Sequence, residues 1–198
     1  QLGVRVLTGT RVASVDPKGE KVVLSSGERL SFDKLLIASG RRTARIAGDD
    51  GKGRGVVYLD TLPEALHMVS LLGSVRKALI YGASLQALCA VRGLRARGIA
   101  CTLLLAQERF WQGVLDPMAS EILEDRLRQE GVTLIKQTEI RDLVWEGRDL
   151  KGVVSSKGLK LPADLLVVAG SQVPRLDYLK ESDLVVKGGV RVDGTLRT

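Results

Sequence analysis

The residues best placed to do chemistry form a small-residue turn after a short apolar run. The run is Lys77–Tyr81, and Gly82, Ser84 and Ala87 follow at the first, third and sixth positions of a G-x-G-x-x-G pattern. In a dinucleotide-binding fold this turn opens a helix, and its backbone N–H groups bind a pyrophosphate. Only the first of the three positions holds glycine. The location therefore fits a dinucleotide site, whereas two of the residue types weaken it.

The residues around this turn predict a βαβ unit. Helical spacing extends over Leu85–Arg97, Gly98 ends the helix, and Cys101–Leu105 is a second apolar strand. Such a unit joins a parallel sheet that is covered on both faces. The expected apolar face of the helix consists of Leu85, Leu88, Cys89, Val91 and Leu94.

Short β-type runs on either side of this unit predict two antiparallel meanders. The first set is Val4–Leu7, Arg11–Val15, Lys21–Leu24 and Arg29–Phe32, and the second is Glu139–Trp145, Leu150–Ser155 and Leu159–Leu161. Each set precedes an apolar strand with an acidic start and small residues at its end, Asp33–Gly40 and Asp164–Gly170. A duplicated nucleotide-binding architecture explains this weak repeat, although so short a pattern also arises by chance.

Two further helices have recognisable start signals. Thr61 and Glu64 form a capping box for Leu62–Leu72, and Asp116-Pro117 opens a helix that continues through Ala119–Glu130. The second of these is expected to bury Ile122, Leu123 and Leu127 and to expose Glu121, Glu124, Asp125, Arg126 and Arg128. The remaining segments are two expected strands and a glycine-rich candidate linker, namely Val56–Leu59, Val132–Ile135 and Arg41–Gly55.

Composition limits the classes of function. The 198 residues are 44% hydrophobic, 27% charged and 4% aromatic, with a formal net charge of +7. Few aromatic side chains and scattered Lys and Arg argue against nucleic-acid binding, whereas a basic surface favours phosphate-bearing ligands or an acidic protein partner. No signal peptide or membrane-spanning run is present, so we expect a cytoplasmic protein without membrane contact. Because the first residue is Gln1, we expect a piece of a longer chain.

The cysteines and the single histidine argue against a metal site. Cys89 and Cys101 lack metal-ligand spacing, and His67 is the one histidine. We expect both thiols to be buried, with a reactive thiol as the alternative, and His67 to lie on a helix surface. Phe110 and Trp111 pack either over a nucleotide or against the sheet.

Four blocks together resemble the pyridine nucleotide-disulfide oxidoreductase superfamily, in its FAD-dependent NADH oxidase, ferredoxin/rubredoxin reductase and nitrite reductase branch. The blocks are Phe32–Arg41, Lys77–Leu105, Arg109–Val132 and Ala163–Pro174, with Gly189–Thr198 following the last. Their order and spacing match the family over nearly the whole chain. By this resemblance the FAD fingerprint and any redox cysteines lie upstream, and an interface domain lies downstream.

The resemblance implies an α/β fold, with a Rossmann-like βαβ parallel sheet, a three-stranded antiparallel meander and an N-terminal meander from a truncated FAD domain. It assigns residues 1–46 to the C-terminal part of the FAD-binding domain and residues 47–55 to a linker. Residues 56–175 are then the NAD(P)H-binding domain, and residues 176–198 return toward the FAD domain.

The resemblance also carries over a set of cofactor-binding positions. For NAD(P)H these are Gly82, Ala83, Ser84, Leu85, Gln86, Leu105, Arg109 and Gly170, and for FAD in the full-length protein they are Val12, Ala38, Ser39 and Gly40. Three positions depart from the family pattern: Ser84 replaces a glycine, Cys89 stands where the family often has Glu, and Leu105 stands where it has an acidic residue. Loss of a charged hydrogen bond to the adenosine ribose costs roughly 10- to 150-fold in affinity. Gln107 or Glu108 restores this contact if the turn is offset.

Two functions follow from the resemblance. In the first, the chain supplies the domain of an FAD-dependent NAD(P)H oxidoreductase that positions NAD(P)H for hydride transfer to FAD, and it has no catalytic or metal-binding residue of its own. In the second, the Rossmann domain is a decayed scaffold, and the flavoprotein exchanges electrons with an acidic partner such as ferredoxin or rubredoxin. The fragment alone is expected to be inactive.

Overall fold

A computed structural model of the protein describes residues 3–186 and 188–198, and it has a mixed α/β architecture. In chain order its elements are β1 (Val12–Asp16), β2 (Lys21–Leu24), β3 (Arg29–Ser31), β4 (Arg41–Thr43), β5 (Val56–Tyr58), α1 (Leu62–Leu71), β6 (Lys77–Tyr81), α2 (Leu85–Arg95), β7 (Ala100–Leu104), α3 (Pro117–Gln129), β8 (Thr133–Ile135), β9 (Ile140–Glu146), β10 (Asp149–Ser155), β11 (Lys160–Pro162), β12 (Leu165–Val168), β13 (Gln172–Pro174), a 3₁₀ helix (Asp177–Leu179), β14 (Val185–Val186) and β15 (Gly189–Val190).

The chain forms two compact units. The first unit contains residues 1–42 and 173–198, and the second contains residues 43–172. Strands β4 and β13 are hydrogen-bonded neighbours. The assignment of these units to particular cofactors stays a prediction.

The second unit is built on a five-stranded parallel sheet in the order β5-β12-β6-β7-β8. Alternate residues of each strand face opposite sides, so Ile80 and Leu103 pack with the helices, while Leu79 and Leu104 pack with β10. The meander β9-β10-β11 is antiparallel and supplies that second layer. A parallel sheet covered on both faces confirms the predicted fold class.

The first unit has a small antiparallel sheet and a core of its own. Strands β1, β2 and β3 pair in sequence order, and β14 pairs with β15. Its buried side chains are Val15, Val22, Leu24 and Leu179. The predicted meander is therefore confirmed for three of its four runs.

Two predicted strands of the first unit are wrong. Residues 4–7 and 33–40 are not assigned to any strand, and Val4, Val6 and Leu36 are 73%, 73% and 88% exposed. A strand needs a hydrogen-bonded neighbour, and among the described residues neither segment pairs with one. Apolar sequence alone was insufficient to specify a strand here.

Helices α1, α2 and α3 begin as predicted, and the capping residues Thr61 and Asp116 accept hydrogen bonds from Glu64 N and Ala119 N. The buried face of α2, however, is formed by Ala87, Ala90, Val91 and Leu94. The expected burial of Leu85, which is 60% exposed, and of the exposed Cys89 was therefore wrong. Ala87, Ala90, Val91 and Leu94 recur at three- and four-residue spacing and share one face of the helix, whereas Leu85 and Cys89 fall on the opposite face.

Helix α3 also differs from its predicted pattern. Ile122 is 66% exposed, whereas Glu124, predicted to face water, is 3% exposed. The carboxylate of Glu124 is buried because it has three hydrogen-bond partners, which are described below.

The candidate linker Arg41–Gly55 is not a free tether. The hydroxyl of Tyr58 donates to Asp49 Oδ2 at 2.7 Å, and Arg45 stacks over the Tyr58 ring at 4.0 Å. Burial, followed by the hydrogen bond to Asp49, raises the pKa of Tyr58 to about 12. Arg54 N donates to Arg148 O, and Arg54 O accepts from Leu150 N, so residues 43–55 are bonded within the second unit.

None of the helices in the described part of the chain is both long and apolar enough to cross a membrane. Across the same residues, no group of three or more His, Cys, Asp or Glu side chains could hold a metal ion.

Candidate functional site

The main candidate site is a cavity at the carboxyl ends of β6, β7 and β12. It has a volume of about 160 Å³ and is lined by Tyr81, Gly82, Ala83, Ala106, Gln107, Gly170 and Ser171. We call these seven residues the crevice. In open α/β sheets, ligands bind outside the carboxyl ends of the strands. The predicted residues Gly82, Ala83 and Gly170 are brought together there.

Gly82 has a packing role at the floor of the crevice. Its φ is +124°, and a Cβ atom at this position would collide with backbone atoms of Ala169 and Gly170. Gly82 N also donates to Leu104 O at 3.0 Å. A glycine is therefore required where β6 ends and the chain passes close to the end of β12.

Ser84 occupies the second glycine position and caps α2. Its Oγ accepts a hydrogen bond from Ala87 N at 3.2 Å and donates one to Ala169 O at 2.7 Å. The serine thus satisfies one of the free N–H groups at the start of the helix and ties that start to the end of β12. Leu85 and Gln86 follow in the first turn and are exposed.

The structure does not bring Leu105 to the crevice surface. Its side chain is 0% exposed, its N donates to Ile135 O, and its O accepts from Thr138 N. The crevice wall is formed instead by Ala106 and Gln107. From the sequence, Gln107 was predicted to contact the ribose only if the turn were offset from the family position. The sequence signal for that offset is the unbroken apolar run that ends at Leu105, because such a run indicates a strand buried on both faces.

The segment after the crevice wall is anchored in the core. Phe110 is 0% exposed, and its ring meets the Trp111 ring edge-on with centroids 5.8 Å apart. Of the two predicted alternatives, packing over a nucleotide or against the sheet, Phe110 is in the core cluster and so fits the second. Arg109 does not line the crevice, and its Nε is buried without a hydrogen-bond partner among the described residues.

Two titratable groups of the parallel sheet have raised pKa values, Tyr81 in the crevice and Cys101 near the amino end of β7. Burial, with a smaller effect of the Glu139 carboxylate, raises the pKa of Tyr81, which lines the crevice. Burial likewise raises the pKa of the Cys101 thiol to about 11. Cys101 is buried as expected, whereas Cys89 on α2 is not.

The first unit has a separate cavity of about 660 Å³, which we call the trough. It is lined by Thr10, Arg11, Val12, Ala13, Val15, Val22, Leu35, Leu36, Ile37, Ala38, Ser39, Arg175, Asp177 and Tyr178. Three of the residues predicted to contact FAD therefore lie together. The fourth, Gly40, adjoins them with φ +72° and accepts a hydrogen bond from Arg175 N.

Hydrogen bonds and ion pairs fix one end of the trough. Ser39 Oγ donates to Arg175 O and accepts from Tyr178 OH, both at 2.9 Å. The carboxylate of Asp177 pairs with Arg42 at 3.5 Å and Lys180 at 3.2 Å.

The family model described as pyridine nucleotide-disulphide oxidoreductase matches residues 1–198. The chain belongs to this family. Rubredoxin-NAD(+) reductase of Pseudomonas putida is 25% identical over 195 residues, which are 98% of this chain and 51% of that protein. Monodehydroascorbate reductase 4 of Arabidopsis thaliana, a peroxisomal protein, is 27% identical over 99% of this chain and 41% of its own length.

Solved structures of the family have the same fold. A ferredoxin reductase from Rhodopseudomonas palustris superposes with a TM-score of 0.83 at 26% identity, and the match covers 91% of this chain and 45% of that one. The chain therefore spans about half the length of the family members that it matches.

Proposed function

We propose that this chain supplies the nicotinamide-nucleotide-binding domain of an FAD-dependent NAD(P)H oxidoreductase, with the crevice as the nucleotide site. The supporting observation is the convergence of Gly82, Gln107 and Gly170 at the carboxyl ends of three neighbouring parallel strands. Gly82 and Gly170 have no side chain that would narrow the crevice for an incoming phosphate, and the adjoining helix start favours an anion.

Gln107 takes the place of the acidic residue that the family pattern has at Leu105. Gln107 lies in the crevice wall, and a glutamine amide oxygen can accept a hydrogen bond from a ribose hydroxyl. A neutral acceptor forms a weaker hydrogen bond than a carboxylate does, so we expect lower affinity than an acidic residue would give. Arg109, two residues farther along, lies outside the crevice lining and is a candidate phosphate contact only by the family resemblance.

The trough residues fit the adenosine diphosphate half of FAD in the longer protein. Val12, Val15 and Ile37 form an apolar wall suited to an adenine ring, and Arg11 and Arg175 carry positive charge suited to a pyrophosphate. FAD, when bound, would supply the flavin that accepts a hydride from NAD(P)H and passes the electrons on. The residues of this chain would bind and orient the two nucleotides.

Calorimetric titration of the 198-residue chain with NADH, NADPH and ADP-ribose tests this proposal. We expect micromolar binding of at least one of them, and binding about tenfold weaker in Gly170→Ala, whose added methyl group narrows the crevice. A Cβ atom there lies 3.6 Å from Tyr81 O, an ordinary contact, so this variant should fold. Gly73→Ala, with open space around its Cβ position, is the matched control. Absence of heat at millimolar ligand, with the chain folded, contradicts the proposal.

A second candidate function is a decayed Rossmann scaffold whose flavoprotein exchanges electrons with a protein partner. The buried apolar side chain of Leu105 and the self-capped helix start at Ser84 favour it, because both occupy positions that a dinucleotide site uses. A net charge of +7 suits an acidic electron-transfer protein. In that case Gly170→Ala and wild type would show the same absence of nucleotide binding. A cytoplasmic location stays a prediction.

A further inference from the structure

Two buried side chains of α3 hold the backbone of Phe110 on both sides. Phe110 N donates to Glu124 Oε1 at 2.8 Å, and Ser120 Oγ donates to Phe110 O at 2.9 Å. Ser120 is 0% exposed and Glu124 is 3% exposed. The main-chain donor and acceptor of Phe110 are therefore bound by one helix, three residues beyond Gln107 in the crevice wall.

The second oxygen of Glu124 binds two cations. Lys136 Nζ lies 2.9 Å and Arg128 Nη2 lies 3.1 Å from Glu124 Oε2. Arg128 also contacts Asp125 at 2.6 Å. A buried carboxylate is stable only when its charge and lone pairs are satisfied, and here charged hydrogen bonds and a backbone N–H group satisfy both oxygens. The position of Glu124 is thereby fixed from three directions.

The near end of the same loop is fixed by the last residue of β8 and by the residues that follow it. Leu105 N donates to Ile135 O at 2.8 Å, and Gln137 N donates to Gln107 O at 2.9 Å. The stretch from Leu105 to Phe110 thus has one anchor at residues 135–137, at the end of β8 and just after it, and a second on α3. Lys136 lies within the first anchor and binds Glu124 of the second.

A strained residue follows the second anchor at once. Trp111 has φ +54°, a left-handed backbone conformation that is rare and energetically unfavourable for a bulky residue. Such a conformation persists only where the surrounding structure imposes it. The hydrogen bonds that Ser120 and Glu124 make with Phe110 hold the chain just before Trp111. On the other side, Trp111 O accepts hydrogen bonds from Val114 N at 2.9 Å and Leu115 N at 3.0 Å.

We propose that Glu124 is a positioning residue for the nucleotide site, which it controls through Phe110 by holding the loop 106–109 against the crevice. This inference rests on the proposed function. Glu124 touches no part of the crevice itself and acts only by fixing the position of Gln107 and the residues beside it. The site would then depend on a carboxylate in the helix behind it.

Two variants test this role, so that the test survives if one of them fails to fold. Glu124→Ala removes the acceptor of Phe110 N–H, and Ser120→Ala removes the donor to Phe110 O. Glu121→Ala, an exposed acidic residue on the same helix, is the matched control. For each folded variant, the amide exchange rate of Phe110 is measured by NMR and the Kd for ADP-ribose by calorimetry.

We expect both variants to raise the Phe110 amide exchange rate about tenfold more than the change in global stability accounts for. We also expect both to raise the Kd for ADP-ribose about tenfold. The control should change either quantity by less than about twofold. If the changes in the Phe110 exchange rate and in the Kd are fully explained by the change in global stability, Glu124 is only a structural residue and the inference is overturned. If wild type binds no nucleotide, the proposed function and the positioning role both fail, while the exchange rates still show whether α3 holds the loop.

Discussion

Ser84 and Ala169 are joined by a 2.7 Å hydrogen bond from the serine hydroxyl to the alanine carbonyl oxygen. Because the same hydroxyl oxygen accepts from Ala87 N, one side chain links the end of β12 to the start of α2. The family pattern has glycine here, where a pyrophosphate must come close. In this chain, therefore, the serine supports packing at a point that the resemblance assigns to ligand binding.

Replacing Ser84 separates these two effects. Ser84→Ala should lower the free energy of unfolding by about 1–2 kcal/mol, since it removes the helix cap and the bond to Ala169. Ser84→Gly should lose the same bond but open space for a phosphate, and so bind ADP-ribose more tightly than Ser84→Ala does. Denaturant unfolding and calorimetry measure the two quantities, with the exposed Ser70→Ala as control. Equal Kd values for the two Ser84 variants would show that the phosphate does not approach this residue.

Gly82→Ala should unfold the second unit at a much lower temperature than wild type. Its Cβ would collide with backbone atoms of Ala169 and Gly170 at φ +124°, and we expect a loss of more than about 2 kcal/mol. Gly93→Ala on α2, with open space at its Cβ, should instead gain about 0.5–1 kcal/mol from helix propensity. Thermal unfolding followed by circular dichroism measures both. A stable Gly82→Ala variant would contradict the close approach of these strand ends.

An acid placed in the crevice should strengthen nucleotide binding, whereas an acid at Leu105 should damage the fold. Gln107→Glu puts a carboxylate in the wall, and we expect about tenfold tighter binding of NADH through a charged hydrogen bond to ribose. Leu105→Glu buries an unpaired charge at a side chain that is 0% exposed, and we expect a loss of several kcal/mol. Calorimetry and denaturant unfolding compare the two. Tighter binding by a stable Leu105→Glu would place the ribose at Leu105 instead.

The stability contribution of Glu124 should depend on pH. Burial opposes its charged form, but hydrogen bonds from Lys136 and Phe110 N–H and the charge of Arg128 outweigh this and lower its pKa below the usual 4.5. A carboxylate with a lowered folded pKa stabilises the fold above its unfolded pKa and loses that contribution as the pH falls. The difference in unfolding free energy between wild type and Glu124→Gln should therefore shrink as the pH falls below about 4.5. A difference that stays constant from neutral pH into this range would show that the charge contributes nothing.

The two thiols should differ in reactivity. Cys89 is exposed, whereas Cys101 is buried with its pKa raised to about 11. A thiol reagent such as dithionitrobenzoate should therefore titrate one thiol in the native chain and both after unfolding, and none in native Cys89→Ser. Rapid native reaction of Cys89→Ser would mean that Cys101 is accessible.

The elements that sequence alone predicted well are those whose signals are local. The capped starts of α1 and α3, the β6–α2 turn and the apolar strands of the parallel sheet depend on nearby residues or on long apolar runs. The echo between Asp33–Gly40 and Asp164–Gly170 failed as a structural repeat, because only the second segment lies between partner strands, β5 and β6. Strand formation depends on neighbours that the segment itself does not encode.

The site was predicted less completely for a different reason. Gly82, Ala83 and Gly170 follow from the positions of strand ends, but the wall residues Ala106 and Ser171 carry no chemical signal in their types. The burial of Glu124 was missed because helical spacing predicts which residues share a face of the helix, and not which partners that face meets. Its partners Phe110 and Lys136 lie 14 and 12 positions away, and they decide that the charge is buried.

The most direct test of the account is NMR mapping of ADP-ribose on the ¹⁵N-labelled chain. We expect the largest amide shift changes at Gly82, Ala83, Gln107, Gly170 and Ser171, with saturation in the micromolar range. Shift changes confined to other residues, or none at millimolar ADP-ribose in a folded chain, would contradict the assignment of the crevice as the nucleotide site.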